Sequence, residues 1–210
     1  GGQAALVGLQ PIDKEKYAAS HPRAFASATA AHRGDNMERF IVGRQFLVVL
    51  IVFVINLMAS AAEDANVLDL NDSLREVFLS SGVAVILTTV MLGQLTAQVN
   101  SASSMLDFLN NSWGMVITTN ISLAIEMSGL LHCVYLVQMM FSRIAGTPIE
   151  TDEAPRTPLQ KVFFWARVIL SVVFLGFALA VTLSAMFDDK DSQYEGYISM
   201  IIFFALMCLA

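Results

Sequence analysis

Four runs of almost wholly apolar residues, 40–62, 77–99, 113–141 and 162–187, punctuate this chain, and a fifth begins near Tyr197 and is still apolar at Ala210. With ~1.5 Å of rise per residue, each complete run is long enough as a helix to cross a hydrocarbon layer about 30 Å thick. The pattern predicts an all-α, polytopic membrane helical bundle. Residues 1–39 are read as the end of a preceding span followed by a polar connection with Pro11, Lys14, Lys16, Pro22, Arg23, Arg33 and Arg39, in which short helical pieces are expected. Because Gly1 is not Met, no signal peptide pattern is present and the last run is open at Ala210, an internal fragment is expected.

Polar positions inside the runs fall on faces when read at ~100° per residue. Gln45 and Asn56 share one; Thr119, Ser122, Glu126, Gly129 and Cys133 form a stripe, and so do Arg167, Ser171, Ala178, Thr182 and Ala185. Lipid-facing stripes are apolar, so these faces are expected to meet other helices or a hydrated cavity, helix packing being the simpler role for Ser, Thr, Gly and Ala. Glu126 is different, since an ionised carboxylate in mid-run is costly unless paired or hydrated. A cation site, a proton relay or a structural hydrogen bond all fit it. His132, on nearly the opposite face, is expected to be a packed core histidine.

Composition agrees with the pattern: 56% of the 210 residues are apolar and 14% charged, too few charges for a soluble surface. The net charge of −6 comes from short acidic connections at 63–76 and 188–195, with no basic footprint for nucleic acid. Cys133 and Cys208 both lie in apolar runs and form no CxxC pair, so neither a disulfide framework nor a metal site is expected. The basic stretch 4–39 is assigned to the cytoplasmic side. Strict alternation then places connection 143–161, which holds Arg143, Glu150, Asp152, Glu153, Arg156 and Lys161, on the opposite side; a re-entrant segment in place of the second span reverses this. Asn71-Asp72-Ser73 is a glycosylation sequon too close to the bilayer to be a good acceptor.

The most informative polar group is Gly43-Arg44-Gln45, just inside the first run. Arg44 alone could snorkel to the interface on its long stem. The adjacent Gln45 amide, both donor and acceptor, suits an uncharged polyhydroxylated solute, and Gly43 permits close approach of a ligand or helix. Gly1-Gly2-Gln3 repeats the small-x-Gln pattern.

Beyond these triplets, Pro11-Ile12-Asp13-Lys14-Glu15-Lys16-Tyr17, the stretch Met37-Glu38-Arg39-Phe40-Ile41-Val42-Gly43-Arg44-Gln45-Phe46-Leu47, and Gly93-Gln94-Leu95-Thr96 followed by Ser104-Met105-Leu106-Asp107 are present. Together with residues 122–138 and 163–167 they make the chain resemble the diatom silicon transporters. The resemblance implies a sodium-coupled carrier of orthosilicic acid with about ten spans in two related halves. It implies that EGxQ and GRQ motifs, one pair per half, contact silicic acid: here Gly1, Gly2 and Gln3 would end the first EGxQ, Gly43, Arg44 and Gln45 would be the first GRQ, and a second pair would follow Ala210. Where the family commonly reads Cys-Met-Leu-Asp this chain has Ser104, which removes any thiol ligand, while Asp107 remains as a motif residue or a helix cap. Sodium would need oxygen ligands, for which Glu126, Asn120 and Gln94 are candidates; no other cofactor is implied.

The implied solute suits the residues: silicic acid is a small tetrahedral weak acid whose hydroxyls each donate and accept, as a Gln amide does, while Arg44 adds donors. Related halves of opposite orientation would bring their motifs together near the bilayer midplane and rock for alternating access. The alternative is a passive channel for small neutral solutes. An intramembrane enzyme lacks its parts, with no HExxH, no facing Cys and His and no intramembrane aspartate pair. A purely structural membrane protein would tolerate loss of Arg44 and Gln45. The expected partners are silicic acid, sodium and the lipid bilayer, with a homo-oligomer compatible; the expected place is the plasma membrane or an internal silica-forming membrane.

Overall fold

The computed structural model describes residues 1–58, 68–80, 82–149, 151–188, 197–198, 200–202 and 205, and every regular element among them is helical. The end of the first run at 59–62, the acidic residues at 63–67, Glu150, the connection 189–195 and most of the fifth run with Cys208 lie outside the described residues, as does the side chain of Asn56. Two units divide the chain: Gly1–Ser128 with Pro148–Pro155, and Gly129–Thr147 with Arg156–Ala210.

In the first unit, the polar start of the chain folds into α1 (Gly2–Leu9), a 3-10 turn (Lys14–Lys16) and α2 (Pro22–Ala31). Asp13 accepts from the Glu15 N–H at the start of the 3-10 turn, and Pro22 opens α2 where its missing N–H costs nothing. Helix α2 turns Ala24, Ser27, Ala28 and Ala31 inward, small side chains that let it lie against α8 (Trp113–Met127). Ala5, Leu6 and Leu9 of α1, Tyr17, Met37, Phe40 and Leu109 complete this core. Helix α3 (Asn36–Met58) has 23 residues, about 35 Å, and packs along α8.

The second run does not begin at 77. A short helix α4 (Asp72–Arg75) continues as a π-helical turn, Glu76–Ser80, and the chain breaks at Gly82 (φ 74°). Asn71 of the sequon spends its side-chain oxygen capping α4 at the Leu74 N–H. From Val83 to Ser103 the helix is continuous, as α5 (Val83–Thr88), a widened π turn (Thr89–Leu95) and α6 (Thr96–Ser103). Short α7 (Met105–Asn110) follows, and Ser112, not Asp107, caps α8 by accepting from the Gly114 N–H.

Run 113–141, read from its apolar composition as one span, is two helices. Helix α8 ends at Met127, and α9 (Val134–Ala145) begins after a turn in which Gly129 takes φ 86°. In the second unit, that turn is held by α10 (Pro158–Asp188): the Ser171 hydroxyl donates to the Leu130 carbonyl (2.6 Å) and accepts from the Cys133 N–H (3.0 Å). His132 is buried against Tyr135 and Phe164, as expected of a packed histidine. Of the stripe on the fourth run, Ser171 is buried, whereas Ala178, Thr182 and Ala185 are exposed. Among the described residues two helices can cross a membrane by length and composition, Val83–Ser103 and Pro158–Ala185, and both are almost wholly unburied by protein.

One topological expectation is reversed. Connection 148–155 belongs to the first unit, where Glu153 forms a two-pronged ion pair with Arg39 (2.8 Å for each oxygen). Asp35 accepts from the Thr151 hydroxyl (2.6 Å) and the Asp152 N–H (3.1 Å). Groups in contact cannot lie on opposite faces of a bilayer, so this connection shares the side of the basic 4–39 stretch. Strict alternation counts every apolar run as one crossing, and the contacts of 148–155 with Asp35 and Arg39 do not allow that count.

Candidate functional site

Three ties position the first unit's polar centre. The Leu6 carbonyl can only accept, so His32 donates from Nε2 (2.9 Å) and fastens α1 to the end of α2. Arg23 donates from Nη1 to the Asn110 and Asn111 carbonyls (3.1 and 3.2 Å) and stacks over Trp113, fastening α2 to the α7–α8 corner. The Arg39–Glu153 pair fixes the start of α3.

Within this frame the two triplets meet. Arg44 Nη1 on α3 donates to Gln3 Oε1 on α1, across 41 residues of sequence. An arginine has only donors, which turns the Gln3 amide with its oxygen toward Arg44 and leaves its NH2 to face elsewhere. Both side chains are half-buried. Gly43 lies directly on α8: a Cβ there would overlap the Ser122 carbonyl oxygen, 2.7 Å from its carbon and 3.2 Å from its Cα. Gly2 is similarly covered by the Met115 side chain, and Gly1 packs against Ala97 and Phe108. Gln45 does not join them; one residue beyond Arg44, it is exposed on another face of α3.

The candidate cation ligands are not assembled. Glu126 is 3% exposed near the end of α8, whereas Asn120 is exposed and donates to the Val116 carbonyl one turn back (2.7 Å), and Gln94 is exposed on the π turn. Among the described residues no group of three His, Cys, Asp or Glu side chains could hold a metal ion. Asp107, 82% exposed, sits 3.3 Å from His21 Nε2, outside the Gln3–Arg44 locus. The stripe Thr119, Ser122 and Glu126 is the buried face of α8, while Gly129 and Cys133 belong to the following turn.

Residues 1–210 match the model of one protein family, described as silicon transporter. The chain belongs to the silicon transporter family. Silicic acid transport and a membrane location follow from that membership. No curated protein and no solved structure matches the chain. The Gln3–Arg44 pair sets amide and guanidinium N–H donors beside close-packed glycine backbone. Sequence reasoning named both residues but not their partnership, nor the roles of His32, Arg23 and Ser171, whose partners lie 26 to 88 positions away.

Proposed function

We propose that this chain carries silicic acid by sodium-coupled alternating access, with Gln3 and Arg44 as the solute-binding side chains of its motif pair. The observation that supports the site is the Gln3–Arg44 hydrogen bond, which joins the two triplets that resemble the family's paired motifs. Arg44 keeps most of its five N–H donors and Gln3 its NH2 and a second lone pair, enough to hold a tetrahedral solute whose hydroxyls both donate and accept. Gln45 belongs to the same motif and contributes from the exposed face of α3. Buried Glu126 is the first choice for an oxygen ligand to the coupling ion. The broken run 113–141 supports alternating access, because interrupted helices are where secondary transporters bind and gate. Silica-depositing diatoms and their plasma membrane are the setting the resemblance implies.

The experiment is uptake of silicic acid by the natural protein in proteoliposomes, with and without an inward sodium gradient, for wild type, Gln3→Ala, Arg44→Lys and Gln45→Ala. Gradient-dependent uptake that falls in Gln3→Ala and in Arg44→Lys, which loses the forked guanidinium, is expected. Gradient-independent uptake makes the protein a passive facilitator; uptake indifferent to Gln3 and Arg44 moves the site elsewhere.

A further inference from the structure

We infer that the Ser122 hydroxyl is a further substrate contact, donating to and accepting from silicic acid beside Gln3 and Arg44; the inference rests on the transport reading above. Ser122 is 0% exposed, and its Oγ has no hydrogen-bond partner among the described residues. A helical Ser or Thr ordinarily spends its hydroxyl on the carbonyl one turn back. Its neighbours on α8 do so: Thr118 donates to the Gly114 carbonyl (2.7 Å) and Thr119 to the Met115 carbonyl (2.8 Å). Buried hydroxyls without partners are rare and unfavourable, and a ligand hydroxyl repairs the loss.

Its position points to which ligand. The three atoms nearest a Cβ at Gly43 are all from Ser122, so the Ser122 peptide lies against the residue preceding Arg44. Tyr17 and Ser27 also have buried hydroxyls without partners among the described residues, but of the three only Ser122 meets Gly43 with its own backbone. Without it the locus has many donors and a single spare acceptor, the second lone pair of Gln3 Oε1. Arg44 supplies donors alone, and Gln3 has already turned its oxygen toward Arg44. A solute with four hydroxyls must also donate, and Ser122 adds an acceptor that can donate in turn.

Ser122→Ala tests this by KM for silicic acid uptake in proteoliposomes and by thermal unfolding of the solute-free protein. The expected result is a KM raised about tenfold, equivalent to about 1.4 kcal/mol, with an unfolding temperature equal to or above wild type, because a polar group without a partner has been removed. Ser122→Cys, a weaker donor of similar size, should fall between wild type and Ala. An unchanged KM in a transporting protein, a Cys variant worse than Ala, or a Ser122→Ala protein that no longer folds would each overturn the inference and make Ser122 structural. A wild type that does not move silicic acid would remove the transport reading as well, a failure distinct from the other three.

Discussion

Gly43→Ala puts the α3–α8 contact to a quantitative test. The added Cβ lands on the Ser122 carbonyl, and all three close atoms are backbone, so no rotamer change relieves it and the helices must separate. Overpacking of this kind costs about 1–3 kcal/mol. Against it stands the gain of Ala over Gly in a helix interior, up to about 1 kcal/mol. The net expectation is a destabilisation of roughly 1–2 kcal/mol, which for a domain of this size lowers the unfolding temperature by about 2–8 °C. Two internal controls separate the terms. Among the described residues Gly93 on the widened π turn and Gly176 on α10 have nothing within 4 Å of a Cβ, so Gly93→Ala and Gly176→Ala should be neutral or stabilising. The assay is thermal unfolding of purified protein in detergent, followed by circular dichroism. A Gly43→Ala protein as stable as Gly176→Ala would refute the close approach of α3 to α8, and with it the placement of Ser122 beside the Arg44 turn.

Three further expectations follow from the same structure. Asp35→Cys paired with Thr151→Cys, with the native cysteines removed, should cross-link readily in native membranes, since the two side chains are 2.6 Å apart at their oxygens; absence of cross-linking would return connection 143–161 to the other side of the bilayer. Ser171→Ala removes both bonds that hold the 129–133 turn and should cost about 1–3 kcal/mol while raising the rate of thiol labelling at Cys133; an unchanged rate would show that the turn does not depend on Ser171. Tyr17 has its phenol pKa raised by burial, with Asp13 adding to it, so the folded state holds the proton more tightly than the unfolded chain. Stability is then constant below the ordinary tyrosine range and falls as pH rises above ~10. Tyr17→Phe should abolish that alkaline loss without destabilising at neutral pH, because the buried hydroxyl has no partner among the described residues; a persistent loss would place its origin elsewhere.

What was legible beforehand was whatever depends on local geometry. Helical periodicity alone put Thr119, Ser122 and Glu126 on one face, and that face is the buried one of α8. Apolar run length anticipated the long helices α3 and α10. The triplets ending in Gln3 and Gln45 stood out because amides and a guanidinium are rare in such company. Other features were decided only by tertiary structure. Arg44 reaches Gln3 while Gln45, its immediate neighbour, faces away, and no one-dimensional rule orients one side of a helix toward a segment 41 residues earlier. The break after Met127 was hidden because its turn is as apolar as a span. Its backbone groups are satisfied by Ser171, which helical periodicity cannot connect to them. The side of connection 143–161 followed from an ion pair spanning 114 positions. Periodicity and composition are properties of neighbours along the chain, whereas hydrogen bonds and ion pairs between distant segments form only when packing brings them together, and it is those that join Gln3 to Arg44 in the candidate site.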